Sequence, residues 1–140
     1  MPEPNYRDDL PLLTDQERDL KNRIKHDFAS VTPDEYDKFI LSRGRDQLAI
    51  QCRAKLERLL DPAKTYAGLE VGCGTGIISK RLAEIENLEL FGLERRQDFI
   101  DFAVAHGRIS ADYTQAGDFN DLLFFFCRGL SHGLIQCNVK

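Results

Sequence analysis

The chain has 140 residues, 42% of them hydrophobic and 30% charged, with a formal net charge of −4. That length and balance describe one soluble globular domain able to bury a core, rather than a disordered or membrane-spanning chain. The acidic balance argues against general binding to a phosphate backbone, which depends on clustered Lys and Arg.

The opening stretch "MPEPNYRDDLP" carries acids and prolines where a signal peptide would carry basic and then apolar residues. No apolar run approaches the length of a membrane span, so a cytoplasmic protein is expected. Thr14 and Glu17 have the spacing of a capping box, and Leu20, Ile24 and Phe28 then recur every four residues, which predicts a helix over 15–28. Thr32, Pro33 and Glu35 repeat the start signal for a second helix with Tyr36, Phe39 and Ile40 on its apolar face. A third helix is expected from Asp46 to Leu60, stopped by Asp61 and Pro62. The basic residues gathered over this segment, Arg43, Arg45, Arg53, Lys55 and Arg58, read as a solvated face rather than a nucleic-acid surface.

Beyond residue 62 the period changes. "TYAGLEV" is a short apolar run of the kind found in buried parallel strands, and "GIISKRLAEI" returns to helical spacing through Ile78, Leu82 and Ile85. "LELFGLE" reads as a second strand, "QDFIDFAVAHG" as a helix ended by Gly107, and "ADYTQAGD" as a weaker third strand. This alternation implies right-handed crossovers and a parallel sheet layered with helices. The run "LLFFFC" follows Asp118 too closely to be a parallel fourth strand, which needs a crossover of about a dozen residues. A helix over 122–130 and a fourth strand over 134–139 are expected instead. Cys52, Cys73, Cys127 and Cys137 form no C-x-x-C pair and are expected as reduced thiols. Cys127, His132 and Cys137 lack structural-zinc spacing, so no metal is expected.

Between the first strand and its helix stands "EVGCGTG". Gly72, Gly74 and Gly76 leave a bare backbone at the edge of the sheet where open α/β proteins bind ligands. The pattern departs from a dinucleotide fingerprint, since Ile77 stands where the last glycine would be. Glu94 closes the second strand, and Gly117 with Asp118 closes the third.

An acid followed by G-x-G-x-G, matched by Glu70 through Gly76, with acids ending the next two strands, resembles the class I S-adenosylmethionine-dependent methyltransferases over residues 30–120. The resemblance implies a Rossmann-like parallel sheet of three or four strands with flanking helices and an N-terminal helical segment, incomplete relative to the full methyltransferase fold. It implies S-adenosylmethionine as cofactor and a small-molecule methyl acceptor, with residues 1–62 on the acceptor side and 63–140 holding the cofactor in one compact unit. The cofactor contacts it implies are Glu70, Gly72, Cys73, Gly74, Thr75, Gly76, Glu94, Arg95, Asp118 and Phe119, with Tyr36 from "FASVTPDEYDKF" covering the site. No catalytic base is assigned.

Chemistry supports these positions. Backbone donors near Thr75 to Ile78 would attract the methionine carboxylate, and Glu70 or the Gly72 carbonyl can accept from the ammonium. Glu94 has two oxygens for the ribose hydroxyls, Asp118 can accept from the adenine amino group, and Phe119 offers a ring face. Cys73 reads as a small space-filling residue rather than a reactive thiol. A sheet left with an open edge would expose it to solvent or to a second copy in a homodimer. The rival functional readings are a truncated, non-catalytic cofactor-binding module and a nucleotide- or NAD-binding protein.

Overall fold

The computed structural model describes residues 10–118 and 134–137. Helix α1 (Asp15–His26) begins at the expected capping box: the Glu17 N–H donates to Thr14 Oγ1 at 3.2 Å and the Thr14 N–H to Glu17 Oε2 at 2.7 Å. It stops before Phe28, which instead opens a 3-10 turn over Phe28–Ser30. Helix α2 (Pro33–Ser42) has the second capping box, Thr32 with Glu35, and Pro at its start. Helix α3 (Arg45–Leu59) begins one residue earlier than the sequence suggests, because Gly44 takes φ 84° and turns the chain tightly out of α2.

The β/α part follows as β1 (Tyr66–Val71), α4 (Ile77–Leu82), β2 (Leu88–Glu94), α5 (Gln97–Ala105), β3 (Thr114–Ala116) and β4 (Leu134–Cys137). All pairings are parallel, and the strand order is β3-β2-β1-β4. This is a mixed α/β fold with the Rossmann-like order, in which the chain reverses direction across the sheet between β1 and β4. The fourth strand lies beside β1 as expected from 134–139, with Glu70 opposite Cys137. The expected helix over 122–130 lies outside the described residues.

Two expectations about length are corrected. Helix α4 ends at Leu82 rather than running to Ile85. There the bonds tighten to 3-10 type, with the Glu84 N–H on Arg81 O and the Ile85 N–H on Leu82 O. The tightened turn still buries Ile85 and lets the Asn87 amide donate to the carbonyls of Asp61 and Lys64, which ties the start of β2 to that of β1. The third strand is only Thr114–Ala116, since Ala111–Tyr113 forms a 3-10 turn.

One apolar cluster joins Ala49 and Leu60 to Ile77, Ile78, Leu82, Ile85 and Leu88, so α3 and α4 share one face of the sheet. A smaller cluster of Leu69 and Leu93, with Val71 and Phe91, marks the opposite face. Alternation of side chains along β1 and β2 sends neighbouring residues to these two faces. Glu70 and Glu94 are therefore carried to the carboxyl ends of adjacent strands, Glu70 opposite Gly92 and Glu94 opposite Ala116.

Candidate functional site

The chain leaves β1 in a bend held by β2. The Gly72 and Cys73 N–H groups both donate to Leu93 O, at 2.7 and 3.2 Å, and the Gly76 N–H donates to Cys73 O at 2.9 Å. Gly72 and Gly76 lie at φ 73° and 81°, a region where a side chain is strained. Their surroundings differ. A Cβ on Gly76 would sit 3.1 Å from the Cβ atoms of Ala103 and Arg108, whereas one on Gly72 would meet nothing within 4 Å. Gly76 is thus required for helix packing, and Gly72 leaves open space above the turn.

Glu94 reaches into this bend. Its Oε2 accepts from the Gly74 N–H at 2.8 Å and its Oε1 from the Arg96 N–H at 3.2 Å, with only 7% of the residue exposed. A carboxylate offers about four lone-pair sites, so acceptor capacity remains for further donors. Glu70 is 4% exposed and accepts from the Ser79 hydroxyl. Burial, reinforced by the charge of Glu94, pushes the Glu70 carboxyl up to about 7 against the pull of Ser79 and Arg45.

Above the turn lies a crevice of about 150 Å³, walled by Tyr36 and Ile40 of α2, Arg45 of α3, Glu70, and the bend itself. Tyr36 comes within 3.7 Å of where a Gly74 side chain would start, and its ring packs on Phe28 and Phe99 at 5.8 and 5.2 Å. Burial raises its phenol above the ordinary value. Arg96 stacks over Phe28 and Phe99 at 5.0 and 4.3 Å and donates to Phe28 O, which fixes the aromatic group from below.

A buried polar brace holds α2 to the turn. Asp37 accepts from Thr75 Oγ1 at 2.7 Å and from both terminal nitrogens of Arg108 at 2.6 and 3.1 Å, while Arg108 also donates to Thr75 O at 3.0 Å. Burial alone would raise the Asp37 carboxyl, but the bonds from Arg108 and Thr75 hold it below its ordinary value.

Of the residues singled out in the sequence, Glu70, Gly72, Cys73, Gly74, Thr75 and Tyr36 line the crevice, Gly76 closes the bend, and Glu94 is bonded to it. The Thr75 hydroxyl is already committed to Asp37. Cys73 packs beneath, 3.2 Å from where a Gly92 side chain would start, and burial drives its thiol far above the ordinary range. Asp118 is exposed at the same sheet edge, where the Gly117 N–H donates to Glu94 O at 2.9 Å. Arg95 is exposed, and Phe119 lies outside the described residues.

Sequence reasoning missed Ser79 and Arg108, and it read Arg45 as part of a solvated face. It singled out Asp37 with Tyr36, as a Tyr-Asp pair on the covering helix by resemblance, but not its bonds to Thr75 and Arg108. Two larger hollows, about 400 Å³ beneath β2 and about 810 Å³ between α1 and α2, do not touch the glycine bend. Among the described residues no group of three or more His, Cys, Asp or Glu could hold a metal, and no helix is long and apolar enough to cross a membrane.

No protein-family model matches the sequence, and no curated protein matches it. Among solved structures, one similar chain is the magnesium protoporphyrin IX methyltransferase from Synechocystis PCC 6803 with bound SAM, at 15% identity and a TM-score of 0.46. The likeness covers 77% of this chain, which spans 57% of the other.

Proposed function

We propose that this chain binds S-adenosylmethionine at the carboxyl edge of its sheet and serves as a methyltransferase domain acting on a small molecule. The observation that carries the reading is the position of Glu94: the acid ending β2 is seated on the Gly74 N–H at 2.8 Å, with acceptor capacity left over. A cis-diol placed above Gly72 would meet that carboxylate as a pair of donors, a charge-assisted arrangement. The open space over Gly72 admits such a ligand, and Glu70 and the crevice fit its amino-acid end.

The donor set therefore suits the cofactor. When bound, S-adenosylmethionine supplies a methyl group on a sulfonium, ready for in-line displacement. The chain's own residues then have positioning tasks: Glu94 orients, Tyr36 covers, and the helices of residues 1–62 exclude water and admit the acceptor. An acceptor that need not lose a proton requires no general base. In this reading Asp118 would accept from the adenine amino group, and a second copy would join at an edge of the sheet.

Calorimetric titration with S-adenosylmethionine, S-adenosylhomocysteine and NAD tests the proposal. Glu94→Ala is expected to weaken the first two by about 1.5–3 kcal/mol, the range for hydrogen bonds to a charged group. Binding of NAD alone would overturn the reading. Cofactor binding without transfer to any screened acceptor would reduce it to the binding module.

A further inference from the structure

The outer edge of β2 is only partly covered. β3 pairs with Gly92, Leu93 and Glu94, so the stretch around Leu88 and Leu90 has no outer strand beside it among the described residues. Which backbone groups this exposes follows from the ladder on the other side. The Tyr66 N–H donates to Asn87 O and the Gly72 N–H to Leu93 O, which turns the odd-numbered residues of β2 toward β1 and the even-numbered ones outward. Leu88 commits its N–H to Ile85 O at 3.2 Å. The Leu88 carbonyl and both backbone groups of Leu90 then have no partner among the described residues, although Leu88 is buried and Leu90 half-buried. Such groups in folded proteins nearly always find a partner. They open on the hollow of about 400 Å³ beneath β2, which is walled by Ser79 and Ala83 of α4, by Ile109, and by Ser110 and Tyr113 ahead of β3.

We propose that this hollow is a peptide-binding site, in which a short extended segment of a partner protein adds to the edge of β2 beside Leu88 and Leu90. Backbone chemistry chooses the class. The unpaired groups are one donor and two acceptors at strand spacing, and an extended polypeptide answers them at the same repeat, which an aliphatic or aromatic molecule does not. The side chains of the segment follow from the two faces it would meet. Leu88 and Leu90 belong to the apolar cluster on the α4 face, so the residue lying over Leu90 is apolar and points between Ala83 and Ile109. Its neighbour in the segment turns to the opposite face, where Glu89 projects. Arg108 is held by Asp37, and the Ser110 and Thr114 hydroxyls are bonded locally. Glu89, exposed and without an ion pair among the described residues, is the uncompensated charge of the lining and selects a basic neighbour. The segment is therefore an alternation of apolar and basic residues. Because the hollow does not touch the glycine bend, the proposal stands apart from the cofactor reading.

The test is an NMR titration of the full chain with the end-blocked peptide Lys-Val-Lys-Val-Lys-Val, its Glu-Val counterpart, and two forms methylated on the backbone nitrogens of either all Val or all Lys. The first peptide is expected to shift the Leu90 amide and slow its hydrogen exchange by about tenfold or more. Since alternate residues face alternate edges of a strand, one methylated form should lose about tenfold in affinity and the other stay within about threefold of the parent. Ala83→Phe, a change at an exposed position that fills the hollow, should weaken binding by about tenfold. Glu89→Lys should reverse the preference between the Lys and Glu peptides. Thermal unfolding of both variants checks that the fold is intact. An unshifted Leu90 amide, two methylated forms that bind alike, or binding indifferent to Ala83→Phe overturns the assignment. So does a Leu90 amide already slow to exchange in the free chain, which would be paired within it or with a second copy.

Discussion

Single residues in the bend carry separable duties. Gly76 combines left-handed backbone with contacts that leave no room for a methyl group, whereas Gly72 has the backbone demand alone. Gly76→Ala should therefore cost about 2–4 kcal/mol of stability, from strain plus overpacking, and Gly72→Ala only about 1–2 kcal/mol. Urea unfolding of the two variants measures the difference; equal losses would remove the packing role given to Gly76. Glu70 makes a second prediction. Its folded carboxyl sits at about 7 against an ordinary 4.5, so the folded state binds the proton more tightly than the unfolded chain. The stability this lends is fully present below about pH 4.5 and is lost as pH rises through about 7, a swing of about 3 kcal/mol. Glu70→Gln should flatten that stretch of the stability-against-pH curve, and an unaltered curve would place the slope on another group.

At the scale of elements, α2 is held over the glycine bend by the Asp37, Thr75 and Arg108 brace as well as by apolar packing. Both charged side chains are largely buried, 8% exposed for Asp37 and 14% for Arg108. Removing one member leaves the other charged and unpaired, so Asp37→Asn and Arg108→Met should each cost about 3–5 kcal/mol. The double variant should lose less than the sum, and strictly additive losses in a double-mutant cycle would deny the coupling. None of this was legible in the sequence, because the partners stand 38 and 71 positions apart and obey no period. What was legible were features written locally: the two capping boxes, the glycines, and the switch from helical to strand spacing near residue 63. Helix α4 shows the limit of local reading. Its apolar spacing continues to Ile85, but the need to bring Asn87 onto the Asp61 and Lys64 carbonyls ends it at Leu82.

Across the whole molecule, stability is expected to be graded. β1 is paired on both sides and stands between two apolar clusters, so its amides should open only with global unfolding. Helix α1 buries no residue and is fastened chiefly by Arg23, which bonds Ser30 and Glu35. Hydrogen exchange should find α1 weakly protected and β1 the slowest segment; comparable protection in both would contradict this gradient. The parallel order of the sheet was readable from the βα alternation, and the fourth strand from the crossover length that ruled out "LLFFFC". The place of Arg45 on the crevice wall was not, since a helix-start arginine looks the same in sequence whether it faces water or a crevice.

Phe28 and Tyr36 form the ceiling over the bend and rest on Phe99 and Arg96, while Glu94 belongs to the floor. The short run from Glu94 to Phe99 thus sets the headroom between the two. Lengthening it by one residue would lift the aromatic ceiling without touching the glycines, and a thicker guest would then fit beneath the same motif.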